Sequence, residues 1–128
     1  NNGYSCAKLI FEFLKTITDK DILLANIKLN PAKPTESPVT IDLPNSSIKN
    51  KAIIIIDDVA NTGRTIFYAF KIFMDLVPKK VEVAALVDRK HKMFPIKVDY
   101  VGLSLATTIK EHIQADLVHP DNLSVSLV

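Results

Sequence analysis

The sequence predicts an α/β fold, a mostly parallel sheet flanked by helices. Three observations carry it. Amphipathic helical stripes alternate with β-leaning apolar runs along the chain. Two of those runs, 52–59 (AIIIIDDV) and 81–87 (VEVAALV), are nearly unbroken in apolar character, as in strands covered on both faces. The length, 128 residues, suits one domain and would cramp two.

The elements follow in order. Residues 4–18 carry Ala7, Ile10, Phe11 and Leu14 at i, i+3, i+4 and i+7, an amphipathic helix ended by Thr18-Asp19-Lys20-Asp21. Residues 22–29 (ILLANIKL) are apolar and predict a strand. Residues 30–38 (NPAKPTESP) hold three prolines and no periodicity, a loop long enough to move. A short strand at 39–43 and a polar connector at 44–50 lead to the buried strand 52–59 and a turn at 61–64. Residues 65–77 repeat the helical stripe at Ile66, Ala69, Phe70, Phe73 and Val77, and Pro78 stops it. After the strand 81–87 comes a basic, irregular stretch at 89–97 and a strand at 99–105. Two short strands at 113–117 and 123–128 are turned by Pro120-Asp121-Asn122. The three glycines, Gly3, Gly63 and Gly102, are each expected at a turn.

Composition narrows the function. Apolar residues at 48% and charged residues at 23% exclude disorder, collagen and disulfide scaffolds. No apolar run approaches the ~18 residues that span a bilayer, and no signal peptide opens the chain. The lone Cys6 has no internal disulfide partner, which points to a reducing cytoplasm; no membrane is expected as a partner, because no apolar run is long enough. A net charge of +2 is too mild to argue for nucleic acid. Lysine supplies most of the basic residues, so Arg64 and Arg89 stand out. The chain opens on Asn1-Asn2-Gly3 and its first methionine is Met74, which reads as a segment of something longer.

The sharpest signal is 53–66, IIIIDDVANTGRTI. Four branched residues form a strand, and Asp57 and Asp58 come as it ends. The turn Ala60-Asn61-Thr62-Gly63-Arg64-Thr65 then leads into a helix. Ligands of open α/β sheets bind beyond the carboxyl ends of strands. Such a turn aims backbone N–H groups and Thr hydroxyls at one spot, and a helix N-terminus adds positive charge, so the spot suits a phosphate. Gly63 permits a left-handed backbone or a close approach. The acids cannot serve the same phosphate; they suit sugar hydroxyls or a magnesium shell. A phosphate cradle beside a diol grip describes a ribose 5-phosphate site. Neither G-x-x-x-x-G-K-[ST] nor G-x-G-x-x-G is present.

This stretch resembles the PRPP-binding signature of the type I phosphoribosyltransferases. The resemblance continues at 85–107, where Val87-Asp88-Arg89, His91, Pro95-Ile96 and Asp99-Tyr100-Val101-Gly102 are similar to PyrR-type members, pyrimidine-operon regulators with uracil phosphoribosyltransferase activity. Residues 3–14 resemble the helix after the family's pyrophosphate loop. By this resemblance Asp57 and Asp58 orient the ribose, and Ala60, Asn61, Thr62, Gly63, Arg64 and Thr65 bind the 5-phosphate. Tyr100 stacks on the base in a small hood, Val101 reads its edge, and Arg89 sits near the base or the pyrophosphate. Asn1, Asn2 and Gly3 are the remnant of the pyrophosphate loop, and 30–38 is a lid. Magnesium is held through substrate oxygens and water, with no metal site of the protein's own. The family's N-terminal helix and first core strand are missing from the 128 residues, and a homodimer is implied.

The implied reaction displaces pyrophosphate from the anomeric carbon of PRPP with a nitrogen of a nucleobase. Many 6-oxopurine enzymes of the family carry Asp where this chain has Asn61 and Lys where it has Asp88, which leaves a pyrimidine, uracil foremost, as the expected base. The loop Asn-Asn-Gly-Tyr lacks a basic residue and the lid lacks an Arg-Asp pattern, so the alternative is a nucleotide-sensing, RNA-binding regulator with weak catalysis; RNA is the less favoured partner. A salvage enzyme for an unknown base is a third, blander reading. Other features read as structural. His91, His112 and His119 lack metal-ligand spacing and read as solvated. Cys6 packs, Lys90, Lys92 and Lys97 form a solvated face, and Phe67, Phe70 and Phe73 serve a core or an oligomer contact.

Overall fold

Sheet and helices assemble as that alternation predicts. The computed structural model describes residues 2–30, 32–105, 113–116 and 124–127. Asn1, His112, His119 and the turn Pro120-Asp121-Asn122 lie outside them. The order is α1 (Asn2–Ile17), β1 (Ile27–Lys28), β2 (Thr40–Ile41), β3 (Ala52–Ala60), α2 (Arg64–Ala69), β4 (Lys80–Arg89), β5 (Tyr100–Leu105), β6 (Ile113–Asp116) and β7 (Ser124–Leu127). Short 3-10 helices occupy Asn45–Ser47 and Phe70–Phe73.

The main sheet is wholly parallel, in the order β3-β4-β5. Its rungs include Ile55 with Val83, Asp57 with Ala85 and Ala60 with Asp88. Successive side chains of a strand face opposite sides, and the packing follows that period. Ile56 and Leu86 meet Cys6, Leu9 and Ile10 of α1. Ile53 and Ile55 meet Phe73, Ile48 and Phe70 on the other face. Ile66 of α2 joins Ala60, Val83, Ala85 and Ile96. Among the described residues no strand hydrogen bonds to the second edge of β3, and Ile54 there is 48% exposed. β1 pairs with β2, and β6 with β7, both antiparallel. No helix among the described residues is long and apolar enough to cross a membrane.

Several elements differ from expectation, each for a physical reason. The buried stripe of α1 is Cys6, Leu9 and Ile10, while Phe13 and Ile17 stay exposed. The strands expected at 22–29 and 39–43 shrink to two residues each, because they pair only with one another and Leu23 finds no sheet to bury it. The helix expected over 65–77 is α for six residues and then 3-10. Phe67, Phe70 and Phe73 recur every three residues, the repeat of a 3-10 helix, and all three pack inward. Val77 closes the run at a φ of 46°. Gly3 lies in the first turn of α1, and Gly102 lies inside β5 rather than at a turn. A Cβ on Gly102 would sit 2.6 Å from the Leu86 carbonyl oxygen of β4, so glycine is needed there for strand approach.

Candidate active site

β3 carries the acids further than expected. It runs to Ala60, so Asp57 and Asp58 belong to the strand rather than to its end. The turn that follows is built on Gly63, whose φ of 88° is left-handed. A Cβ on Gly63 would also meet Ile96 Cβ at 3.1 Å. Thr62 Oγ1 accepts the Arg64 N–H at 3.4 Å, and Gly63 O accepts the Phe67 N–H at 2.9 Å, which starts α2. Because α2 has only six residues, its dipole adds little at this turn.

One shallow, open cavity of about 50 Å³ gathers Asp57, Ala60, Asn61, Thr62, Gly63, Arg64 and Thr65, with Val59 and Ile66 behind them. Seven residues expected in a sugar-phosphate site thus line one space. Asp58 does not line it; its charge reaches the Cys6 thiol on α1, which burial first and then Asp58 and Asp57 push up. Asp57 Oδ1 accepts the Asp58 N–H at 2.9 Å. Asp57 is pushed up to about 7, first by burial, then by its side-chain hydrogen bond and charge repulsion with Asp58. A carboxyl in a cleft that keeps its proton to near neutrality is a perturbed group of the kind functional sites build.

Arg89 is buried, 7% exposed, and donates from Nη1 to Asn61 Oδ1 at 3.2 Å. It holds the turn from beneath. Tyr100 and Val101 are not brought to the cavity. β5 enters the sheet with Tyr100 opposite Ala84, four residues before the Asp88–Ser104 rung, or ~13 Å along the strand. The Tyr100 ring is exposed and its hydroxyl donates to Glu82 Oε2 at 2.9 Å. That contact pushes the phenol up, through the hydrogen bond first and the Glu82 charge second. The expected stacking position is therefore not formed by this register. Gly3 is buried in α1, apart from the cavity lining.

Sequence reasoning missed Lys92. Its ammonium bonds Asp88 Oδ1 at 2.5 Å and the Arg89 carbonyl, and it is not part of a solvated face. The Asp-x-x-x-Lys spacing was visible but signals a pair only on a helix, and this stretch is irregular. Lys90 and Lys97 are exposed as expected.

Magnesium prefers oxygen ligands, keeps several waters and takes one or two carboxylates. Among the described residues no three His, Cys, Asp or Glu side chains stand together to hold a metal. Asp57 at the cavity fits a hydrated ion that arrives with a phosphorylated substrate better than it fits a protein cage.

Parallel strands, a left-handed glycine turn and an adjoining acid define a sugar-phosphate-binding α/β domain of the pentosyltransferase class. The chain belongs to the phosphoribosyl transferase domain family, whose model matches residues 6–119. Among its curated relatives, a bifunctional protein PyrR from Enterococcus faecalis is 36% identical over 126 residues, covering 93% of this chain and 70% of that one. A bifunctional protein PyrR from Pediococcus pentosaceus is 33% identical, covering 98% and 76%. Among solved structures, a hypoxanthine-guanine phosphoribosyltransferase from Bacillus anthracis aligns with a TM-score of 0.60 at 17% identity, over 77% of this chain and 59% of that one. A hypoxanthine phosphoribosyltransferase from Staphylococcus aureus gives 0.57 at 20%, over 80% and 58%. At that identity the likeness speaks for the fold, and the chain spans less than two thirds of those solved chains.

Proposed function

We propose that the chain is the PRPP-binding part of an enzyme that transfers ribose 5-phosphate from PRPP to a pyrimidine, uracil foremost, and releases pyrophosphate. The observation that carries this reading is the one cavity in which Asp57 meets the whole turn from Ala60 to Thr65. The N–H groups of the turn and the Thr62 and Thr65 hydroxyls would take the 5-phosphate. Asp57 would accept hydrogen bonds from the ribose hydroxyls, while Asp58, outside the cavity, would act on the sugar only through its contact with Asp57. The bond from the anomeric carbon to pyrophosphate breaks as a bond from the base nitrogen forms, and that nitrogen's proton leaves to water. The sugar turns cationic in between, so the chain's contribution is chiefly to position it. Magnesium bound with PRPP would supply charge neutralisation on the departing pyrophosphate.

The choice of a pyrimidine is supported by Asn61. Its amide oxygen is engaged by Arg89, and an amide cannot take a proton as a carboxylate would. The proposed natural protein also brings a strand to the open edge of β3, works as a homodimer and resides in the cytoplasm, so the assay uses its natural length. The protein is mixed with PRPP, magnesium and uracil, cytosine, hypoxanthine or guanine in turn, and pyrophosphate is measured. Release with uracil is expected. Release with the purines alone overturns the base. Silence with every base overturns the transferase and leaves a second reading, a nucleotide sensor that binds RNA, which the bifunctional PyrR relatives favour.

A further inference from the structure

We propose that Lys92 is a positioning residue for the sugar-phosphate site, the pin that sets the turn of residues 60–65 against the end of β4. The proposal rests on reading that turn as the 5-phosphate cradle. Lys92 follows β4 by three residues, and its side chain doubles back. The ammonium donates to Asp88 Oδ1 at 2.5 Å and to the Arg89 carbonyl, and it reaches the Ala60 carbonyl at 3.5 Å. An ammonium has three N–H donors and no acceptor, so these three oxygens use its capacity. Ala60 and Arg89 are the last residues of β3 and β4, and Ala60 and Asp88 form one rung. A single cation is therefore bound tightly at the end of β4 and reaches the end of β3 through a long contact, at the point where the turn begins.

The stem of the same side chain supports the turn from the side. A Cβ on Gly63 would lie 3.4 Å from Lys92 Cδ. The next two residues continue the clamp, since the Met93 and Phe94 N–H groups both donate to Thr62 O, at 2.9 and 3.1 Å. Phe94 then packs on Phe67 of α2, with ring centroids 5.2 Å apart. The side chains of Lys92 and Asp88 are only 17% and 18% exposed, so water screens the pair less than it screens a surface bridge. With its donors occupied, the ammonium touches no ligand. It acts through where it holds Ala60 and Thr62.

The test measures ribose 5-phosphate affinity by calorimetry, and KM for PRPP and for the base, on the natural-length protein and its Lys92→Met, Lys92→Arg and Asp88→Asn variants. Methionine keeps the stem and removes the charge. Lys92→Met should weaken ribose 5-phosphate and raise the KM for PRPP by about 10-fold or more, with the KM for the base unchanged. Lys92→Arg should restore most of the affinity. Asp88→Asn, which keeps the size and shape of the side chain and removes only its charge, should lose about three-fold. Wild-type affinity in both Lys92→Met and Asp88→Asn overturns the proposal, as does an equal loss for sugar phosphate and base. A wild-type protein that ignores ribose 5-phosphate overturns the cradle reading itself, and this inference falls with it.

Discussion

Two loops meet at Arg64, and they are held in opposite ways. The turn of residues 60–65 is pinned from outside itself. Arg89 grips Asn61, Met93 and Phe94 share the Thr62 oxygen, and Ile96 fills the space beside Gly63. The loop at 30–38 is held mostly by its own residues. Asn30 Oδ1 accepts the N–H groups of Ala32 and Lys33 at 3.1 and 3.3 Å, and Lys33 pairs with Glu36 at 3.6 Å. Its one hydrogen bond to the turn among those described runs from Arg64 Nη2 to the Ala32 carbonyl at 3.5 Å, near the limit for such a bond. The difference is one of anchoring: the turn is tied to distant parts of the chain, and the hydrogen bonds of the loop are chiefly local. Preorganised donors lose nothing to rearrangement when the ligand arrives, whereas a cover must stay cheap to displace.

The comparison breaks first at Gly63. Gly63→Ala puts a side chain at a φ of 88° and pushes Ile96, so it should cost about 3 kcal/mol in a urea titration. A loss under about 1 kcal/mol would mean that the turn is no stiffer than the loop. Asp57 sharpens the comparison next. Its proton is kept to about 7 against an ordinary 3.8, so the stabilisation it gives is whole below about pH 4 and is lost as pH rises through about 7. The full shift would be about 4 kcal/mol. Water in the open cavity and the sharing with Asp58 reduce this to something on the order of 2 kcal/mol. The urea midpoint should fall across that window, and Asp57→Asn should flatten the fall; an unchanged slope in the variant would remove Asp57 as its source. The smallest effect belongs to the loop. Lys33 and Glu36 are both well exposed, so Glu36→Gln should move stability by less than about 0.5 kcal/mol. A larger change would show that the loop, too, is pinned.

Much of the main sheet and of the phosphate turn was legible in the sequence. Four consecutive isoleucines admit few readings besides a strand, although only Ile55 of the four is buried, and an acid pair followed by Asn-Thr-Gly-Arg-Thr marks the turn that ends it. The family resemblance followed from those same residues. The place of Tyr100 was not legible, because it depends on register. Asp99 sets that register by a double contact with β4: its N–H donates to Val83 O at 2.8 Å, and its carboxylate accepts the Val83 N–H at 2.9 Å. This clamp starts β5 level with Val83 and Ala84, well short of the cavity. Lys92 was hidden for a related reason. Its partner Ala60 lies 32 residues away, and nothing in a basic, irregular stretch marks one lysine among three as turning inward. The shortness of α2 was legible in principle, in the three-residue recurrence of phenylalanine, which fits a tighter helix than the one expected.

The doubly accepted oxygen of Thr62 has an effect on polarity. A peptide unit is planar and trans, so its carbonyl and the following amide hydrogen point in opposite directions. Two donors holding Thr62 O toward Met93 and Phe94 therefore turn the Gly63 amide hydrogen away from that segment. The orientation of one bond dipole is thus dictated from some thirty residues downstream. Shortening or lengthening the chain between Arg89 and Ile96 by one residue would shift the two donors that hold this plane. The spacing of that stretch thus bears on the polarity of the turn with no change to the turn's own residues.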